Sequence, residues 1–145
     1  MTVQKEFTDK NGNYDILLKH VADRKLRRII DVGAWWGPWS LFWQPHAEKL
    51  EIFEPNKRIL PMLEHNISTY DNCTLHKTAL GESRGTVSMG YDTHSGTNHV
   101  TDPMGDTGIN TLDSYNFDNV DVIKIDVEGY EMPVLRGAEH TIMTN

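Results

Sequence analysis

Two spacings of apolar residues alternate along the 145-residue chain. In YDILLKHVADRK, Ile16, Leu17, His20 and Val21 recur at helical spacing behind Asp15, a candidate cap, and predict a short amphipathic helix. LRRIIDVGA is a compact, β-branched apolar run closed by glycine, so a buried strand is expected over about Arg28 to Val32. Pro38 then suits the first turn of a helix carrying Trp39, Leu41, Phe42 and Trp43, which Pro45 should kink or end early. LEIFEP predicts a second strand, and NKRILPMLEHNISTY a second helix around Ile59, Leu63 and Ile67 with Pro61 in its first turn. CTLHKTAL reads as a third strand, RGTVSMG as a shorter fourth and NVDVIKIDVEG as the last. A helix over EMPVLRGAEHTIMTN follows, with Val134, Leu135, Ala138 and Ile142 on one face. Residues 91–110 show little periodicity and are expected to be a long mobile loop over the site or a poorly ordered excursion.

Strands alternating with helices predict an α/β fold, an open and mostly parallel sheet. No repeat, low-complexity stretch or linker divides the chain, so 1–145 is expected to be a single domain with a polar leader over 1–14. In such sheets ligands bind outside the carboxyl ends of the strands, where the strand order reverses. The chemistry is therefore expected at Asp31 to Gly37, Glu54, Thr78 to Gly81 and Asp126 to Gly129.

An apolar content of 38% against 24% charged supports a packed core, although the mean hydropathy of −0.52 is low for a chain with central parallel strands. Fourteen basic and 21 acidic residues leave a net charge of −7, which disfavours nucleic-acid binding. A single cysteine, Cys73, excludes an internal disulfide framework and a multi-cysteine zinc site, and is compatible with a reducing compartment. The N-terminus lacks the apolar core of a secretion signal and no run of 18 apolar residues occurs, so no membrane association is expected and the location is read as cytoplasmic.

Asp31-Val32-Gly33-Ala34-Trp35-Trp36-Gly37 joins the first strand to its helix, and its small residues let a ligand approach the backbone. The dinucleotide fingerprint G-x-G-x-x-G, started at Gly33, would put its other glycines at Trp35 and Pro38, and no Gly-Lys-Ser/Thr of a phosphate loop follows. Instead an acid precedes Gly33 by two residues, Gly37 follows by four, and Glu54 ends the next strand 21 residues on, where a carboxylate suits the cis-diol of a ribose. A pyrophosphate is poorly matched to this acidic loop, whereas S-adenosylmethionine, with an adenosine, a cationic sulfonium and no phosphate, suits it. The alternative is a plain turn in which Gly33 and Gly37 only satisfy backbone geometry.

Taken together, DVGAWWG, FEPN, HKTALGE, TLDSY and VDVIKIDVEGYEMPVLRGA resemble the FkbM-type family, a branch of the class I S-adenosylmethionine-dependent methyltransferases, from about Ile29 to Ala138. The resemblance implies a Rossmann-like methyltransferase fold, S-adenosylmethionine as cofactor, and methyl transfer to a hydroxyl of a sugar or other small metabolite, free or on a glycan. By position it assigns Asp31, Gly33, Ala34 and Gly37 to the cofactor loop, Glu54 to the ribose, and Thr78 and Ala79 to the adenine. Such families commonly carry Asn where this chain has Trp35, a departure at the methionine end of the pocket. They also continue with up to three more strands, so the C-terminal strands of the fold are expected to be missing and the strand bearing Asp126 to lie at a sheet edge.

Alternation places Val122, Lys124 and Asp126 on one face of the last strand and Ile123, Ile125 and Val127 on the other. Asp126 and Glu128 are the candidate general bases, and Lys124 could pair with Asp126 or stabilise a developing alkoxide. The competing reading is an ion pair that fixes the strand end, with Glu128 and Glu131 serving the next helix. Asp113, Asp126 and Glu128 have oxygen ligands suited to a divalent cation, but no metal site is assigned. His94 and His99 are loop histidines that could act as bases. Trp35, Trp39 and Trp43 recur every four residues and read as one packed helix face, with Trp36 off it and able to wall a pocket. Asn66 reads as a left-handed helix end, and Arg136 and Gly137 as packing positions. Competing functions are a nucleotide-dependent oxidoreductase and a non-catalytic adenosine-binding module.

Overall fold

The computed structural model describes Lys19 and residues 25–91 and 98–145, with the side chains of 91 and 98–104 excepted. The polar leader, the helix expected at Ile16 to Val21 apart from Lys19, His94 and the side chain of His99 lie outside the described residues. In chain order the elements are β1 (Leu26–Val32), α1 (Pro38–Trp43), β2 (Ala47–Phe53), α2 (Leu60–Ile67), β3 (Cys73–His76), β4 (Ala79–Leu80), β5 (Gly85–Tyr91), β6 (Asn98–Asn110), β7 (Val120–Ile125), α3 (Glu131–Arg136) and α4 (Glu139–Thr144). Single 3-10 turns follow α1 at Gln44–His46, where Pro45 ends the helix, and precede β7 at Leu112–Tyr115.

A parallel sheet runs in the order β3-β2-β1-β7. Its central strand β1 is covered on both faces, as a parallel strand must be. Leu26 and Ile29 pack with Leu50, Ile52, Leu63 and Trp43 on one side, and Ile30 and Val32 with Phe53, Leu112, Val134 and Ala138 on the other. β7 obeys the same alternation, with Val122 against the first cluster and Ile123 and Ile125 against the second. Among the described residues β7 is an edge strand, paired only with β1. Both arginines within β1 are engaged in ion pairs. Arg27 pairs with Asp121 at 3.1 Å, and the buried Arg28 reaches Asp118 at 2.5 Å and Glu51 at 3.4 Å.

Three expected elements differ. The single strand read across 73–80 is two strands in different sheets, because a turn closed by the Thr78 N–H on the His76 carbonyl (2.9 Å) lifts the chain out of the first sheet. Residues 98–110, expected as part of a long loop, form β6, antiparallel to β5 and parallel to β4. Main-chain hydrogen bonds hold this ribbon, and among the described residues Val87, Ile109 and Ala79 bury a small apolar cluster with Met89 and Tyr130 against it, so the sequence of β6 carries no apolar alternation to read. The C-terminal helix breaks into α3 and α4 at Gly137, where a Cβ would stand 1.9 Å from the Gly81 carbonyl oxygen. After the break Val134 and Ala138 are fully buried, but Leu135 and Ile142 are exposed and do not share their face.

Asp113 shows how α4 is started. Its carboxylate accepts the backbone N–H of His140 (3.0 Å) and both the N–H (2.8 Å) and hydroxyl (2.7 Å) of Thr141, a cap donated from a distant turn. Burial works against its ionisation, yet the hydrogen bonds from Thr141 and His140 outweigh that and hold its pKa below the usual range. A lowered carboxyl adds stability that is fully present above the ordinary Asp value and is lost as pH falls through the folded one. Asp113→Ala should cost about 1–2 kcal/mol, read as a lower urea midpoint at neutral pH. An unchanged midpoint would remove the cap from the account. Asp113 is thus turned to α4, and among the described residues no group of three or more His, Cys, Asp or Glu side chains is placed to hold a metal ion.

Candidate functional site

β1 connects to β2 on one side, while β7 lies on its other side, so the strand order reverses between β1 and β7. Gly33 leaves β1 at this point, with φ of +76° and a Cα against the backbone of Asp126; a Cβ there would stand 2.0 Å from the Asp126 carbonyl oxygen. The Asp126 N–H in turn donates to Val32 (3.1 Å). Side by side, the two strand ends open a crevice of about 330 Å³, within the range of small-ligand sites.

The glycine loop is braced from behind. Asp31 is fully buried, accepts the Ser40 hydroxyl of α1 at 2.7 Å, and lies 3.0 Å from the Lys124 ammonium. Lys124 also donates to the Gly33 carbonyl (2.8 Å) and lies 3.4 Å from that of Val32. Its expected partner Asp126 is farther, at 4.0 Å. Lys124 is not among the residues that line the crevice; the buried Asp31 and the Gly33 carbonyl hold its ammonium at shorter range than the exposed Asp126 does. Asp31, Ala34 and Gly37 likewise shape the loop without lining the cavity, whereas Gly33, Glu54, Thr78, Ala79, Asp126 and Glu128 line it. Ser40 and Asn66 belong to the same support. Asn66 lies inside α2, not at a left-handed helix end, and its side-chain amide donates to the Trp36 carbonyl at 2.7 Å, tying the glycine loop to α2.

Glu54 follows β2 and is 6% exposed. Its two carboxylate oxygens accept the backbone N–H groups of Trp35 (2.7 Å) and Asn56 (2.8 Å). Burial raises its pKa above the ordinary range, against those two hydrogen bonds, which lower it. Beside it, Phe53, Pro55, Ala79, Leu80 and Met89 make an apolar wall. The Thr78 hydroxyl is spent on the Gly108 carbonyl of β6 (2.7 Å), so Thr78 offers shape more than a donor. Opposite stand the exposed carboxylates of Asp126 and Glu128. Glu131 reaches back to the N–H groups of Gly129 (3.1 Å) and Val127 (3.3 Å), closing the loop that carries them.

The tryptophans divide differently from the expected stripe. Trp39 and Trp43 stack at 6.2 Å within α1, but α1 begins only at Pro38, and Trp35 sits before it in a left-handed turn with φ of +54°. Helical spacing does not extend to it. Trp35, not Trp36, lines the crevice, 47% exposed and 5.7 Å from the Trp36 ring. Met89 and Tyr130 also line it. Met89 arrives on β5, remote in sequence and outside the motif strings, whereas Tyr130 lies within VDVIKIDVEGYEMPVLRGA, two residues after Glu128, at a position where the string itself gives no sign of a role.

A family model for the methyltransferase FkbM domain matches residues 31–145. The chain belongs to this family. No curated protein matches it. Among solved structures, the methyltransferase FkbM from Methylobacillus flagellatus KT is 20% identical, with a TM-score of 0.60, over 82% of this chain and 30% of that one. An rRNA methylase from Streptococcus thermophilus is 14% identical over 91% of this chain and 79% of that one, with a TM-score of 0.41. This FkbM domain has the class I methyltransferase fold, and its chain spans less than a third of the length of the Methylobacillus protein. Among the described residues no helix is long and apolar enough to cross a membrane.

Proposed function

We infer that this FkbM domain is an S-adenosylmethionine-dependent methyltransferase acting on a hydroxyl of a sugar or other small metabolite. The observation that carries the reading is Glu54: a buried carboxylate, fixed by two backbone N–H groups, bordering a cavity against a glycine whose missing Cβ leaves room at the backbone. Remaining lone pairs on both oxygens suit the two hydroxyls of a ribose. The apolar wall from Phe53 to Met89 suits an adenine ring. Among the described lining residues there is no Lys, Arg or His, which fits an adenosine without phosphates.

When bound, S-adenosylmethionine would supply an electrophilic methyl group for the acceptor oxygen, with the neutral thioether as leaving group. Asp126, exposed at the crevice mouth and anchored through its backbone to Val32, is positioned to take the hydroxyl proton. Gly33 and Glu54 orient the adenosine end, and Lys124 and Asp31 keep that loop in place.

Calorimetric titration with S-adenosylmethionine, S-adenosylhomocysteine and NAD tests the reading. S-adenosylhomocysteine should bind, and Glu54→Ala should weaken it at least tenfold through lost hydrogen bonds to a charged group. Because the Glu54 pKa is raised, affinity should fall with decreasing pH from a higher pH than an ordinary Glu would give. For stability of the free protein the sign is opposite: a raised carboxyl favours folding in acid, and that contribution is lost as pH rises through the folded pKa. Binding of NAD alone would sink the proposal.

A further inference from the structure

Four non-glycine residues have positive φ among those described: Trp35, Asn116, Asn119 and Glu128. Asparagine adopts this region readily, but tryptophan and glutamate do so at a cost. Trp35 (φ +54°) and Glu128 (φ +52°) lie on two different loops, after β1 and after β7, and both line the same crevice. Strain of this kind persists where surrounding structure holds a side chain in a required place. Neither side chain is buried among the described residues: Trp35 is 47% exposed beside the Trp36 ring, and Glu128 is exposed. The needed backbone contact of Trp35, its N–H on Glu54, would be made equally by glycine.

We propose that Trp35 and Glu128 are the acceptor-binding, specificity-determining residues of this site, selecting an uncharged hydroxyl-bearing ring and rejecting phosphorylated or carboxylated acceptors. The inference rests on the methyltransferase reading above. The indole offers a flat apolar face for the C–H side of a ring, and the Glu128 carboxylate accepts a hydrogen bond from a ring hydroxyl. Selection against anions follows from charge. Asp126 and Glu128 share the rim, and the nearby ammonium of Lys124 is bound to Asp31 and Gly33 behind the loop. An amine acceptor is also disfavoured, since two carboxylates would stabilise its ammonium form, which has no lone pair to methylate.

Saturation-transfer NMR on the full chain with S-adenosylhomocysteine present tests this, using methyl glucopyranoside and myo-inositol as uncharged probes and glucose 6-phosphate as the anionic one. The uncharged rings should receive saturation, and glucose 6-phosphate should not. Trp35→Gly and Glu128→Gly should each reduce the transfer at least fivefold, and Trp35→Phe should restore half or more of what Trp35→Gly loses. Calorimetric affinity for S-adenosylhomocysteine should stay within twofold, and Tm should hold or rise, because glycine relieves the left-handed strain. Equal transfer to the glycine variants overturns the proposal, as does preference for glucose 6-phosphate, no transfer to either uncharged ring, or a fall in Tm of several degrees. Absence of S-adenosylhomocysteine binding to the unaltered chain instead overturns the reading beneath it.

Discussion

Lys124→Met should destabilise the protein by about 3–5 kcal/mol, although it removes a single charge and keeps most of the side-chain volume. Asp31 has no exposed surface, and without Lys124 its carboxylate keeps only the Ser40 hydroxyl. A buried charge left without its counterion costs far more than an intact pair contributes. The loop carbonyl of Gly33 also loses its ammonium donor. Urea denaturation measures the loss, and a double variant separates its causes. Asp31→Asn keeps an acceptor for Ser40 and removes the charge, so combining it with Lys124→Met should recover at least half of the lost stability. A Lys124→Met cost below about 1 kcal/mol would mean that Asp31 is solvated in some other way.

Gly33→Ala should abolish measurable S-adenosylhomocysteine binding and cost about 3 kcal/mol or more. The added Cβ would meet the Asp126 carbonyl oxygen at 2.0 Å and its carbon at 2.9 Å, backbone atoms that cannot turn aside, and the residue would still have to hold φ near +76°. Only separation of the β1 and β7 ends relieves this, and that opens the crevice both sides build. Gly129→Ala is the control. It has a similar φ of +94° but nothing within 4 Å of the new Cβ, so it should cost only about 1 kcal/mol. Equal costs at the two positions would show that conformational strain, not the strand contact, governs Gly33.

Much of the frame was legible in the chain. β1, β2, α2 and β7 announce themselves because each buries a continuous or periodic apolar surface, and Pro38, Pro45 and Pro61 mark helix positions whatever the rest of the molecule does. β6 was hidden, since an antiparallel ribbon held by main-chain hydrogen bonds needs no alternating side chains. The close approach that reserves position 137 for glycine, at the break between α3 and α4, was hidden for a different reason: the backbone it meets is that of Gly81, distant in sequence.

The candidate site divides in the same way. Glu54 and the Gly33 loop could be read from spacing, because a strand end and its turn have a set length, and the motif strings carried the family resemblance later matched over residues 31–145. Roles that depend on which groups meet across strands could not be read. Lys124 alternates onto the same face as Asp126, yet the register of β1 against β7 sets Asp31 beside Lys124, and the buried acid holds the ammonium. Trp35 shares the spacing of a helical stripe, yet a left-handed turn before Pro38 points it into the crevice. By itself, then, the sequence determined the elements and the two strand ends where chemistry belongs, since local periodicity and turn chemistry suffice for both. The tertiary structure alone decided which of those residues face the cavity and which brace it, because that depends on strand register and backbone handedness.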